Sequence, residues 1–235
     1  MTNEFLINDF ERDPFTQKHE VSAAYYIGSG GFDVGYYGER INTFKGFNAF
    51  VGLNYQSPNY STNFFGFGNE TPNFDDNLKL DYNRVKIGML DAKLGLLKRH
   101  NAYFTSANVF FESRKIDQTE DRFVTSETLF FPEEDFFDRK NYAGLEGTFT
   151  YKDIALDFVE DLTILPTLSF KGTVNISDTK ASIVGVNPSL YLGHPIYADK
   201  VTFDVTLDYN HIFGNGFEFY QAAHVGAKNG LRGYR

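Results

Sequence analysis

The chain contains no cysteine and no tryptophan, and only 2 methionines and 7 prolines in 235 residues. Without cysteine, disulfide frameworks, cysteine-ligated zinc and thiol catalysis are excluded together. Basic residues are short as well: 22 Lys and Arg stand against 31 Asp and Glu, a formal net charge of −9, so a basic footprint for nucleic acid is not expected. Mean hydropathy is −0.36, and no apolar run approaches the roughly 18 residues of a membrane helix. No segment carries a convincing helical period. Residues 1–9 lack both a basic and an apolar signal region. They and the turn-rich 228–235 read as cuts in a longer chain. Chemistry-bearing motifs are missing too. The five histidines are scattered, no HExxH or GxSxG occurs, and Gly28-Ser29-Gly30-Gly31 joins two short strands rather than opening a helix. Neither an enzyme nor a cofactor is expected, and no metal site is read.

What the chain has is rings and glycines: 26 Phe, 15 Tyr and 21 Gly, a balance suited to strands and tight turns. Alternation with period two sets their faces. Across 201–210, Val201, Phe203, Val205, Leu207 and Tyr209 share one side, while Thr202, Asp204, Thr206, Asp208 and Asn210 share the other. The stretches 143–152, 167–177 and 45–55 repeat the scheme. Further strands are expected near 3–9, 19–28, 31–40, 59–67, 80–98, 101–115, 180–193 and 200–213, about eleven in all. A bulge is expected near Gly88. Ser29-Gly30, Ser57-Pro58 and Arg99-His100 read as tight turns, alternating with longer, more acidic connections near 41–43, 68–79 and 116–139. The long 153–164 connection breaks that parity.

Two architectures fit such strands. One is a soluble antiparallel sandwich or barrel, whose strands alternate because one face meets a core. The other is a membrane barrel, favoured by the polarity of the second face, by strands near 10 residues and by ring pairs such as Tyr25-Tyr26, Tyr36-Tyr37, Phe64-Phe65 and Phe110-Phe111.

Two segments carry a resemblance. Gly230-Leu231-Arg232-Gly233-Tyr234 resembles the loop-six motif of the Omp85 superfamily, the outer-membrane barrels that include BamA-like and bacterial surface antigen D15-type members. Phe65-Gly66-Phe67-Gly68-Asn69-Glu70-Thr71 is similar to a segment of the Bacteroidota-type members. The resemblance implies an all-β fold: a transmembrane antiparallel up-and-down β-barrel, here about eleven of roughly sixteen strands, with residues 1–235 forming one incomplete barrel domain. It implies a place in the outer membrane of a Gram-negative bacterium and a part in protein insertion, assembly or translocation there. Arg232 would pack against the inner wall. Outer-membrane lipid or lipopolysaccharide and nascent outer-membrane proteins would be the partners. The alternatives are a barrel that anchors or exports an attached metallophosphoesterase or patatin-like domain, a passive porin or adhesin, and, least favoured, a soluble ligand-binding β protein. The acidic 116–139 segment is weighed as a site for divalent cations bridging lipopolysaccharide or for a partner protein, against a plain solvated loop.

Overall fold

A computed structural model describes residues 3–7, 17–44, 46–64, 82–126, 135–152, 154, 162–177, 181–197, 201–216 and 218–221. They form one antiparallel sheet: β1 (Asn3–Ile7), β2 (Lys18–Tyr26), β3 (Gly31–Phe44), β4 (Phe47–Asn63), β5 (Arg84–Arg99), β6 (Tyr103–Ile116), β7 (Lys140–Tyr151), β8 (Thr163–Asn175), β9 (Ser182–Tyr197), β10 (Val201–Asp208) and β11 (His211–Gly214). Strands follow one another in chain order from β1 to β10. β11 extends β10 along the same neighbour, since Asp208 lies opposite Ser189 and His211 opposite Val186. The two therefore act as one strand broken at residues 209–210.

The sheet is open. Among the described residues β1 pairs only with β2, and β10 and β11 pair only with β9. The expected barrel is corrected on this point, because closure needs hydrogen bonds between the first and last strands and none joins them. No helix among the described residues is long and apolar enough to cross a membrane.

Two local expectations also change. Residues 45–55 and 59–67 are not separate strands about a turn at Ser57-Pro58, because β4 runs through that point. Its register against β5 shifts between Gln56 and Asn59, so the bulge expected near Gly88 sits on the facing strand. Proline is tolerated there because the ladder is already interrupted. Ser57 Oγ accepts a hydrogen bond from the Phe32 amide at 2.7 Å and ties the bulge to β3.

Period-two alternation sorts the side chains onto two faces. One face is concave, for residues of β2 through β6 line a single cavity of about 580 Å³ upon it. Glycines permit close approach on that side. A Cβ on Gly144 would lie 1.9 Å from the Gly172 carbonyl oxygen and 2.7 Å from the Phe110 ring. No second layer covers the sheet: the chain exposes 16828 Å², against about 10,800 Å² expected of a folded monomer of its mass.

The dry interior is gathered at one end, where β4, β6 and β8 finish and β5, β7 and β9 begin. Phe64, Val85, Ile87, Ile116, Phe123, Val124, Phe136 and Phe219 form one buried cluster there. Phe136, from the acidic 116–139 connection, thus serves packing. The described part of that connection includes a single 3-10 turn at Phe123–Thr125.

Candidate functional site

The convex face is apolar and uncovered. Cross-strand register places Leu53, Ala92, Phe111 and Ala143 in one row, and Val51, Leu94, Val109 and Leu145 in the next. Leu94 is 60% exposed, Val109 52% and Leu145 59%, though each sits mid-strand where a soluble sheet would bury it. The same side carries Phe32 and Val34 on β3, Leu168, Phe170 and Val174 on β8, Val184 on β9, and Phe203 and Leu207 on β10, all exposed. Along β5 the apolar stretch runs from Leu90 to Leu96, about 20 Å at the rise of a strand, with Lys86 and Lys98 on the same face beyond its two ends. Tyr25 and Tyr55 stand at one border of this belt, Tyr103 and Tyr151 at the other. Lys98 Nζ lies over the Phe47 and Tyr103 rings, 5.4 and 5.9 Å from their centroids.

The concave face is charged, and its charges are matched. Lys93 Nζ donates to Glu146 Oε2 at 2.8 Å, Arg114 Nη2 lies 2.6 Å from Asp91 Oδ1, and Lys171 donates to Glu112. The Arg114 contact with Asp91 Oδ1 is poorly aligned for a hydrogen bond, so its attraction is mainly Coulombic. Toward the opposite end Arg99 holds Glu39 with both of its terminal nitrogens. Burial pushes the Glu39 and Glu146 carboxyls up, yet hydrogen bonds from Arg99 and Tyr37 to the first, and from Lys93 and Asn108 to the second, bring both below the ordinary carboxylate value. Burial and the bond to Glu39 push the Tyr37 phenol up to about 12. The cluster neutralises itself. It presents matched pairs rather than an unpaired acid or base poised for proton transfer.

The short turn at Phe219–Gln221 closes the end of this face. Phe219 stacks 4.4 Å from Phe64 and 6.0 Å from Phe136. Lys140 bonds Glu218 and also lies 3.2 Å from Asp135. The Tyr142 and Tyr220 hydroxyls are 2.7 Å apart, and burial raises both phenols.

The residues singled out by resemblance fall elsewhere. Gly230, Leu231, Arg232, Gly233 and Tyr234 lie outside the described residues, as do Phe65, Gly66, Gly68, Asn69, Glu70 and Thr71. Of the charged residues expected on the polar face, Glu146 and Lys171 are in the network, and Asp204 accepts a hydrogen bond from the Tyr191 hydroxyl at 2.6 Å. The sequence reading missed Asp91, Lys93, Glu112, Arg114 and the Lys140–Glu218 pair. Strict alternation along 84–99 and 103–116 was the available signal for the first four.

No family model, curated protein or solved structure matches this chain. The likeness to the Omp85 superfamily is therefore withdrawn, since nothing beyond two short segments carries it. With it fall the identity as a transmembrane outer-membrane barrel, the assigned place in a Gram-negative outer membrane, and the role in inserting, assembling or translocating proteins. The open sheet supplies none of these independently.

Proposed function

We propose that this chain is a non-catalytic lipid-binding sheet, its convex face meeting acyl chains while its concave face stays hydrated. The carrying observation is the uncovered apolar belt, continuous from β2 to β10. At a strand spacing of about 4.8 Å it extends on the order of 40 Å around the sheet. Apolar patches on soluble monomers reach about 300–600 Å², and a belt of roughly 20 by 40 Å exceeds that.

Lipid suits this belt better than a protein partner does. A partner would have to be concave and nearly as large, and would meet a field almost without hydrogen-bonding groups, whereas protein interfaces carry about one hydrogen bond per 100–200 Å². Acyl chains conform to any convex apolar surface and ask for none. Tyrosines at the borders present a ring to the chains and a hydroxyl to water.

The test is flotation of the purified chain with phosphatidylcholine vesicles, compared with a Leu94→Asp, Val109→Asp, Leu145→Asp variant. These three side chains sit side by side in register and are half or more exposed, so in water their replacement leaves folding nearly unchanged. Against acyl chains each carboxylate costs up to about 3.5 kcal/mol. Flotation of the parent chain and its loss in the variant are expected. A parent chain that stays monomeric and dispersed in detergent-free buffer and ignores vesicles would refute the reading.

A further inference from the structure

The belt has one strongly basic border. On β5, Arg84 and Lys86 point to the convex side beyond Leu90. On β6, Lys115 lies opposite Gly88 of β5 on that side. From the segment entering β7, Arg139 donates from Nη1 to Ser113 Oγ at 3.0 Å, and Ser113 faces the same way as Leu90, its partner across the ladder. Four cations thus collect across three adjacent strands at the edge of the apolar stretch.

Their surroundings set them apart. Every basic side chain on the concave face has a carboxylate: Lys18 with Glu20, Lys93 with Glu146, Arg99 with Glu39, Arg114 with Asp91, Lys140 with Glu218 and Lys171 with Glu112. On the convex border, Arg84, Lys115 and Arg139 are exposed, and among the described residues none of the three forms an ion pair. The nearest acids in sequence, Asp117 and Asp138, do not reach them. In a chain of net charge −9, which has acids to spare, three unpaired cations beside an apolar belt call for an external anion.

The geometry points to a binding site for the phosphate of anionic lipid headgroups at Arg84, Lys115 and Arg139, with Lys86 between them. This rests on the lipid-binding reading above and specifies its ligand. Tails of a bound lipid would lie on Leu90, Phe111 and Ala143, and its phosphate would fall at the level of the cations. Arginine suits a phosphate because its planar fork offers two parallel donors, and lysine adds a point charge.

The experiment measures binding of the purified chain to vesicles of phosphatidylcholine alone and of phosphatidylcholine with phosphatidylglycerol, over a range of salt. The parent chain should bind the anionic vesicles more tightly, and salt should erode the difference. Each cation near an anionic surface is worth roughly fivefold, so an Arg84→Gln, Lys115→Gln, Arg139→Gln variant should lose a preference on the order of a hundredfold. It should keep its binding to neutral vesicles. The charge-preserving Arg84→Lys, Lys115→Arg, Arg139→Lys variant should retain the preference, separating charge from folding. Equal binding of the parent chain to both vesicles, or a preference that survives the glutamine variant, overturns the site while leaving the lipid-binding reading intact. Failure to bind either vesicle overturns both. Displacement by inorganic phosphate at constant ionic strength would show a site for the free ion and overturn the assignment to headgroups.

Discussion

Phe219→Ala should release the turn at Phe219–Gln221 without unfolding the sheet. Phe219 is only 4% exposed and contacts Phe64 and Phe136. Truncating a buried phenylalanine costs about 3–5 kcal/mol. Holding residues 218–221 in place costs about 1–2 kcal/mol per residue in chain entropy, or roughly 4–8 kcal/mol for the four. The other restraints are the Lys140–Glu218 pair and the hydroxyl contact between Tyr142 and Tyr220, worth about 1 kcal/mol each. Together they are too weak to keep the turn docked once the ring is gone. Amide exchange reads this directly, because the Gln221 amide is bonded to the Glu218 carbonyl at 2.8 Å and the Glu218 amide to Gln221 Oε1 at 2.9 Å. Loss of about 3 kcal/mol corresponds to faster exchange at these two amides by on the order of a hundredfold, with β5 to β8 unchanged. Unaltered exchange there, or equal loss of protection along the sheet, would refute the claim that one ring holds this turn.

Gly144→Ala should destabilise the chain by about 1–3 kcal/mol, seen as a lower denaturation midpoint, because the new methyl meets a backbone carbonyl that cannot rotate away. Acid should loosen the concave face. The folded values of Glu39 and Glu146 lie below 4.5, so their contribution is complete above the unfolded value and is lost as pH falls through the folded one. Thermal melts from pH 6 to pH 3 should show a falling midpoint, and Glu146→Gln should make that fall shallower. A midpoint that rises toward pH 3 would contradict the assignment. Lys140 runs the other way: burial lowers it, but Glu218 and Asp135 raise it further, so its contribution is full below the ordinary lysine value and disappears as pH climbs past it. Alkaline titration of Lys140→Met should therefore lack a loss of protection at Phe219–Gln221 that the parent chain shows.

Strand positions were legible where alternation was strict. Residues 201–210 and 167–177 sort their faces by sequence alone, since every second side chain is apolar and the rest are polar. The same reading failed at Ser57-Pro58, where local turn chemistry pointed to a reversal and pairing with both β3 and β5 kept the chain extended. It overreached on closure. Period two says which way a side chain points and nothing about whether the first strand meets the last. The charged network was only half visible, because Lys93 and Glu146 are 53 residues apart and their contact depends on the register of β5, β6 and β7 together. The basic border escaped notice for the same reason: Arg84, Lys115 and Arg139 become neighbours only when three strands are laid side by side.

The aromatic cluster bears on how the molecule reaches its native state. Phe64 and Phe219 touch although 219 − 64 = 155 positions separate them, and the rings between them come from two further connections. Contacts of such long range form late and slowly. Until β11 has been made, the earlier strands lack the last piece of the one desiccated core they share, while their greasy outer side is already complete. A ribosome-bound intermediate of this chain is therefore an adhesive object, and its survival during synthesis depends on a chaperone or a lipid surface arriving before a second nascent chain does.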